Sequence, residues 1–471
     1  MKGIRIAHAA ALVAAIAPCA AAAAEFDATR LGLGWALPFV GILLSIALMP
    51  LVALRVWHHH YGKIAFAWAL ACVVPLGLAF GARTAIELAL HTLLLEFLPF
   101  IVFIGTLYVI AGGIFLRGNL SGTPIINTGI LALGGVLASF MGTTGAAMLL
   151  IRPLIRANDD RRHNVHTIVF FIFIVANVGG SLTPLGDPPL FLGFLKGVSF
   201  FWTMQHMFAP MLFVLAILLA LYFALDSALY MRDIAQGLKR DPTPVSALRI
   251  EGSVNFLLLA LVLGAVLMSG LWKPAVEIDV LGQKLPLEGL VRDAIFLAVA
   301  AVSLAITPKA TRQSNEFGWA PIAEVAKLFF GIFITMAPVL LMLRAGESGA
   351  FADLVRLVTD GEGRPVDAAY FWLTGALSSF LDNAPTYLVF FNLAGGDPQA
   401  LMTTLAPTLT AISAGAVFMG ANTYIGNAPN FMVKAIAEDS GIAMPSFFGY
   451  MLWSGAILLP IFGLLTFIFF L

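Results

Sequence analysis

Two stretches of the chain repeat each other at a constant offset of 240 residues, and each interrupts a region otherwise apolar enough to cross a membrane. The first holds Ser139-Phe140-Met141-Gly142-Thr143-Thr144 and then Gly180-Ser181-Leu182-Thr183-Pro184-Leu185-Gly186-Asp187-Pro188-Pro189. The second holds Ser379-Phe380-Leu381-Asp382-Asn383-Ala384 and then Gly420-Ala421-Asn422-Thr423-Tyr424-Ile425-Gly426-Asn427-Ala428-Pro429. Ser139/Ser379, Phe140/Phe380, Gly180/Gly420, Thr183/Thr423, Gly186/Gly426 and Pro189/Pro429 pair without a gap. No continuous helix passes through three closely spaced prolines, which remove donors and clash with the preceding turn. In lipid, unwound backbone survives only where protein, water or an ion supplies partners. Paired, broken, polar membrane segments therefore point to the substrate site of a secondary transporter.

Composition sets the class. Hydrophobic residues make up 60% and charged residues 11%, with a mean hydropathy of +0.95, whereas a soluble surface needs roughly 25% charged residues. The chain reads as a polytopic membrane protein whose partner is the lipid bilayer. Its formal net charge of zero gives no reason to expect nucleic acid. The outside loops 271–292 and 345–368 are too short to build a soluble domain. No His/Glu metal motif of the H-E-x-x-H kind occurs, so the chain is not expected to be an enzyme. Residues 1–24 combine a basic start (Lys2, Arg5), an Ala-rich apolar stretch and small residues before Glu25, the pattern of a secretory signal peptide. The other reading of that segment is an uncleaved first helix. Removal of the signal, with Cys19, would leave Cys72 without a disulfide partner.

Apolar windows of membrane-crossing length fall near 32–54, 64–82, 88–112, 166–197, 201–230, 252–270, 293–307, 320–344, 406–437 and 446–470. Two further segments, 125–151 and 369–394, carry polar residues at their centres. Arms of about 12 residues reach only some 18 Å into a ~30 Å core, so these segments read as re-entrant hairpins. With the N-terminus outside, one set of loops collects Arg55, Lys63, Arg117, Arg152, Arg156, Arg161, Arg162, Arg232, Lys239, Arg240, Arg249, Lys309, Arg312 and Lys434. The opposite set holds Asp353, Asp360, Glu362 and Asp367. That asymmetry obeys the positive-inside rule and places both termini in the periplasm of a bacterial inner membrane.

The expected fold is all-α and polytopic: two inverted-topology repeats with about ten spans, two re-entrant hairpins and two broken helices. The first repeat covers 30–230, with a cytoplasm-facing hairpin at 125–151 and a broken span at 166–197. A cytoplasmic linker, 231–251, leads to the second repeat, 252–471, with a periplasm-facing hairpin at 369–394 and a broken span at 406–437.

Freed carbonyls and short side-chain oxygens at the breaks suit a hard cation such as sodium. The candidate binding residues are Ser139, Thr143, Thr144, Gly180, Thr183, Asp187, Ser379, Asp382, Asn383, Thr386, Asn422, Thr423 and Asn427, with Asn430 close by. An intramembrane carboxylate costs on the order of 2.5–3.5 kcal/mol and marks an ion or proton pathway. One such group can trade a proton for sodium, since burial favours the neutral acid and a bound cation favours the carboxylate. Asp382 and Asp187 are the candidates for that role, although Asp187 before Pro188-Pro189 could instead cap a helix. Glu96 is a third proton-coupling candidate, with His91 as a relay partner. Glu324 and Lys327 are spaced for a local ion pair. His58-His59-His60 reads as a solvated interfacial loop.

With these residues in view, the chain resembles the ion transporter superfamily over roughly residues 30–471. It is most similar to the citrate-transport and sodium:proton antiporter group, related to the D-type sodium/proton antiporters. The resemblance is carried by Ser379-Phe380-Leu381-Asp382-Asn383-Ala384-Pro385-Thr386, by Gly420-Ala421-Asn422-Thr423 and by Gly426-Asn427-Ala428-Pro429-Asn430. It implies two sodium sites, each between a hairpin tip and the following break, with any organic substrate between them. It also implies an elevator movement against a dimerising scaffold built from spans 1, 2, 3, 6, 7 and 8, hence a homodimer. No cofactor is implied beyond Na+ and H+ as coupling ions.

The dicarboxylate symporters of this superfamily repeat Ser-Asn-Thr at both tips. Here the tips read Gly142-Thr143-Thr144 and Asp382-Asn383-Ala384, with no arginine to grip a polyanion. Sodium:proton antiport is thus the expected function, and sodium- or proton-coupled symport of citrate or another small carboxylate is the alternative.

Overall fold

The computed structural model describes residues 30–237 and 246–471. The signal-like segment 1–24 and linker residues Lys239 and Arg240 lie outside the described residues. The chain is an all-α polytopic membrane protein. In order, α1 (Leu37–Val52), α2 (Leu54–Phe80) and α3 (Ala82–Ala111) precede the short strand β1 (Phe115–Asn119). A hairpin of α4 (Pro124–Met141) and α5 (Thr143–Ala157) follows, then the interrupted pair α6 (Val165–Ile174) and α7 (Pro188–Leu195), and the long α8 (Phe200–Ala235). After β2 (Ser246–Glu251) come α9 (Val254–Leu271), α10 (Leu287–Ile306) and α11 (Ala320–Arg344). A second hairpin, α12 (Asp367–Phe380) with α13 (Asn383–Leu393), leads to the interrupted pair α14 (Ala406–Met419) and α15 (Ala428–Asp439) and the last helix, α16 (Phe447–Phe469).

Among the described residues nine helices are long and apolar enough to cross a membrane. One of them, α4, is a hairpin arm; the other eight and the two interrupted segments make up the ten spans read from the sequence. Outward-facing apolar side chains recur at helical spacing, as in Leu37, Val40, Leu44 and Leu48 on α1 and Phe66, Leu70, Val74 and Leu78 on α2. Such stripes suit lipid or a second helix surface rather than water.

The helices sort into two bundles. One packs α1, α2, α3, α9, α10 and α11 together, and the other packs α8 and α16 around the two hairpins and two interrupted spans. At the foot of the first hairpin, Asn127 and Asn158 exchange amide hydrogen bonds of 2.8 and 2.9 Å. Arg156 Nη2 donates to Leu116 O at 3.0 Å, so α5 ends beside the strand that precedes α4. In the second hairpin, Asp367 accepts from Thr408 at 2.6 Å, while Arg344 Nε, at the end of α11, donates to Asn392 Oδ1 at 2.6 Å.

The helices depart from the sequence boundaries in instructive places. The arms of the first hairpin are 18 and 15 residues long rather than about 12. Arg152 and Arg156 extend α5 beyond 151 because their guanidinium groups find Glu316 and Leu116 O and do not need a loop. Within the linker 231–251, α8 runs to Ala235, and β2 pairs antiparallel with β1, with an Arg117–Glu251 ion pair of 2.6 Å. His58, His59 and His60 lie in α2 rather than in a loop, with His59 Nδ1 2.9 Å from Arg55 O one turn back. Among the described residues Glu324 and Lys327 form no ion pair; the Lys327 ammonium sits 5.4 Å from the centre of the Tyr61 ring instead.

At both breaks the chain doubles back so closely that only glycine fits. A Cβ on Gly426 would stand 2.5 Å from Gly420 O and 2.8 Å from Ser378 O, and a Cβ on Gly186 would collide with Gly180 O, the equivalent atom one repeat earlier. Because the obstructing atoms are backbone, Gly426→Ala is expected to cost on the order of 1–3 kcal/mol. A lower midpoint of thermal unfolding in detergent would report it. Gly361→Ala, where nothing lies within 4 Å of the added carbon, should leave the midpoint unchanged.

Candidate functional site

The two hairpins and two breaks meet at one carboxylate. Asp187 is 1% exposed and accepts three side-chain hydrogen bonds. Thr143, the first residue of α5, donates its hydroxyl to Oδ1 at 2.9 Å. Asn427, at the start of α15, donates to the same oxygen at 3.2 Å. Asn383, the first residue of α13, donates Nδ2 to Oδ2. Asp187 and Asn427 are equivalent positions of the repeat, as are Thr143 and Asn383, so two pairs of equivalent residues meet at one carboxylate.

Asp187 stands at the N-cap position of α7, yet its side chain makes no capping bond. It faces the tips instead. The N-termini of α5, α7, α13 and α15 converge here; α7 opens on Pro188-Pro189, which carry no N–H, so the N–H groups with partial positive charge belong to the other three. Three donors and three helix ends offset the cost of burying a carboxylate. No lysine, arginine or histidine contributes to its hydrogen bonds.

The supports of the site repeat as faithfully as its residues. Thr183 donates its hydroxyl to Ser139 O, and Thr423 donates to Ser379 O. Ser139 donates to Gly179 O and Ser379 to Met419 O, each 40 residues ahead. Leu185 N and Ile425 N then donate to the two threonine hydroxyls at 3.1 and 3.2 Å. Each hairpin tip is thereby fastened to the break that follows it. Gly180 leaves room for this, since a Cβ there would stand 3.2 Å from Asp187 Cβ.

The second tip differs from the first in its spare oxygens. Asn383 Oδ1 and Asn422 Oδ1 are buried and have no hydrogen-bond partner. Asn422 spends its Nδ2 on Ser379 Oγ at 2.9 Å, and Asn383 spends its own on Asp187. Two orphaned carbonyl oxygens in one region fit a hard cation, which takes oxygen ligands. Asp382 lies half-buried at the same tip and caps α13 by accepting from Ala384 N at 3.1 Å, which leaves lone pairs free. Thr386 turns its hydroxyl back to Asp382 O at 3.0 Å, and Thr144 is half-buried next to Thr143.

Glu96 lies apart from this centre. It pairs with Lys196 at 2.5 Å, whereas the His91 ring faces Gln283 at 3.3 Å, so no hydrogen bond joins His91 to Glu96.

Two networks escape sequence reading. Asn177 donates to Asn430 Oδ1 at 2.7 Å, and Asn430 donates to Gly420 O and Thr423 O at 2.8 and 2.9 Å, which ties the first break to the second. Asn177 has a valine, Val417, as its repeat mate, so the repeat conceals it; a lone asparagine in the run Ile174-Val175-Ala176-Asn177-Val178 is the signal that could have revealed it. The second network surrounds Arg161, counted from sequence as a loop charge but 4% exposed. Its guanidinium lies 2.7 Å from Asp226 and 3.7 Å from Asp233, and these carboxylates also meet His166 at 2.8 Å and His163 at 2.5 Å.

A family model described as "Putative citrate transport" matches residues 28–470. No curated protein matches the chain.

Proposed function

The chain belongs to the "Putative citrate transport" family and is a transporter, and from that premise we propose that it is a secondary active sodium:proton antiporter working by alternating access. The observation that carries this reading is Asp187, a buried carboxylate held by neutral donors at the meeting point of both hairpins and both breaks. A carboxylate without a fixed cationic partner can be neutralised by a proton or by a mobile cation.

In this reading sodium binds at the second tip, to the Asp382 carboxylate and to Asn383 Oδ1 and Asn422 Oδ1, while Asp187 carries the exchanged proton. Asn383 links the two events because one amide serves both: Nδ2 holds Asp187 and Oδ1 is left for the ion. The first tip, with Ser139, Thr143 and Thr183, supplies the corresponding second sodium site. The bundle of hairpins and interrupted spans moves as an elevator against the other bundle. That scaffold dimerises in a bacterial inner membrane, with both chain termini in the periplasm.

A second reading is sodium- or proton-coupled symport of citrate or another small carboxylate. The family description favours it, and so do the converging helix N-termini of α5, α13 and α15, which attract anions. Proteoliposomes with a trapped pH dye separate the two. With a pH gradient imposed, sodium alone should drive proton movement, and Asp382→Asn should reduce its rate at least roughly tenfold, the loss of one charge-assisted ligand. Silence on adding sodium, together with labelled citrate accumulating only when sodium or protons are supplied, would replace the antiporter by the symporter.

A further inference from the structure

Glu96 and Lys196 lie on opposite sides of the boundary between the two bundles. Glu96 belongs to a five-residue π-helical turn, Leu93–Phe97, that interrupts α3. Such turns occur mostly as single bulges inside helices and often at functional places. The turn packs on α11 and on the short strand Gln283–Pro286 within the first bundle. Lys196 caps the C-terminus of α7, the helix that begins at Asp187 and packs against the hairpin arm α13. The ammonium and carboxylate are 2.5 Å apart, with side chains only 17% and 12% exposed. A cavity of about 120 Å³ adjoins them, lined by His91, Leu192, Leu195 and Leu388. Its walls come from both bundles, and it is roomy enough for several waters.

We propose that the Glu96–Lys196 pair is a positioning latch that holds α7, and with it Asp187, against the scaffold in the conformation seen here. The proposal rests on the reading that the two bundles move relative to each other. Any such movement separates α7 from the π turn and breaks the pair. Two poorly solvated charges then lose their partner, which disfavours departure unless water reaches them. The adjoining cavity supplies that route, so the latch biases the equilibrium without freezing it. At the opposite end of the bundles the pair Arg152–Glu316, at 2.7 Å, also crosses the boundary, but Glu316 is 75% exposed and its loss is screened by solvent. Of these two ion pairs among the described residues, Glu96–Lys196 is the one that can set the population.

Leu388→Cys, on α13 in the cavity wall, reports the opening without requiring any transported ion. The purified protein carrying it is labelled with a water-soluble maleimide in nanodiscs, with the parent chain labelled in parallel as the blank for its own Cys19 and Cys72. Adding Glu96→Gln, and separately Lys196→Met, should raise the labelling rate roughly tenfold, the scale of one lost charge-assisted hydrogen bond. The exchanged pair Glu96→Lys with Lys196→Glu should return the rate to that of the Leu388→Cys parent. Equal rates with and without the pair overturn the latch, as does an exchanged pair that stays as fast as the single variants while eluting as a folded protein. Accelerated labelling in a protein that moves no protons on addition of sodium would retain the latch and discard the antiporter reading alone.

Discussion

Asp187→Asn is expected to abolish sodium-driven proton movement while leaving the protein folded. The substitution removes the titrating oxygen but almost no volume, and the site already accommodates an asparagine at the equivalent position of the other repeat, Asn427. Oδ1 of the new side chain can still accept from Thr143 at the present 2.9 Å geometry. Its new amide meets the Asn383 amide, which must turn over and offer Oδ1, an oxygen that has no partner in the native site. Folding thus has a way to absorb the change, whereas proton exchange does not. In proteoliposomes the rate should fall by at least about a hundredfold, the range for losing a group that carries the proton. Elution volume and thermal midpoint should stay near those of the parent. Asp187→Glu should retain partial activity, because the carboxylate survives and only its placement shifts by about 1 Å. Full activity in Asp187→Asn would move the exchanged proton to another group, with Asp382 the next to test.

The largest loss of stability is expected from Arg161→Met. Asp226 and Asp233 are both fully buried, and Arg161 is the fixed cation they share, at 2.7 and 3.7 Å. Arg161 Nη1 also donates to Gly122 O and Asn158 Oδ1 at 3.2 and 3.3 Å, so the residue ties the foot of the first hairpin to α8. Removing one partner of a buried ionic cluster costs about 3–5 kcal/mol, since the remaining charges stay buried without compensation. Methionine replaces most of the volume, which leaves the charge as the main difference. A steep drop in thermal midpoint is the expected result, with part of it recovered in Arg161→Met combined with Asp226→Asn. A single variant that unfolds at the parent's midpoint would overturn the role given to Arg161.

Much of the site was legible because a membrane magnifies local chemistry. Proline runs, clustered glycines and intramembrane carboxylates are costly in lipid, so Pro184, Gly186 and Asp187 stand out in a chain that is 60% hydrophobic. The constant offset links Thr183 with Thr423 in sequence, and their hydroxyls hold equivalent carbonyls. Periodicity could not say which way a charge points. Arg161 and Arg312 fall among the loop cations in sequence, yet both are buried, Arg312 by donating to Val109 O and Ser303 at 2.9 Å. Nor could spacing foresee that the Lys327 ammonium sits over the Tyr61 ring, or that Glu96 finds a cation 100 residues away in sequence.

By itself the sequence determined the membrane class, the ten spans and the positions of the two breaks, because each follows from the short-range cost of placing polar or helix-breaking groups in lipid. It also determined the pairing of equivalent residues, through a repeat with no gaps. Only the tertiary structure decided that both hairpin tips and both breaks converge on Asp187 rather than serving two separate acids. It alone gave Asp382 a capping bond and left Asn383 and Asn422 with free oxygens. The physical reason is that convergence depends on how two halves dock, which is set by long-range packing and by asparagines such as Asn177 and Asn430 that bond across them. Those contacts join residues about 250 positions apart, and no local pattern records them.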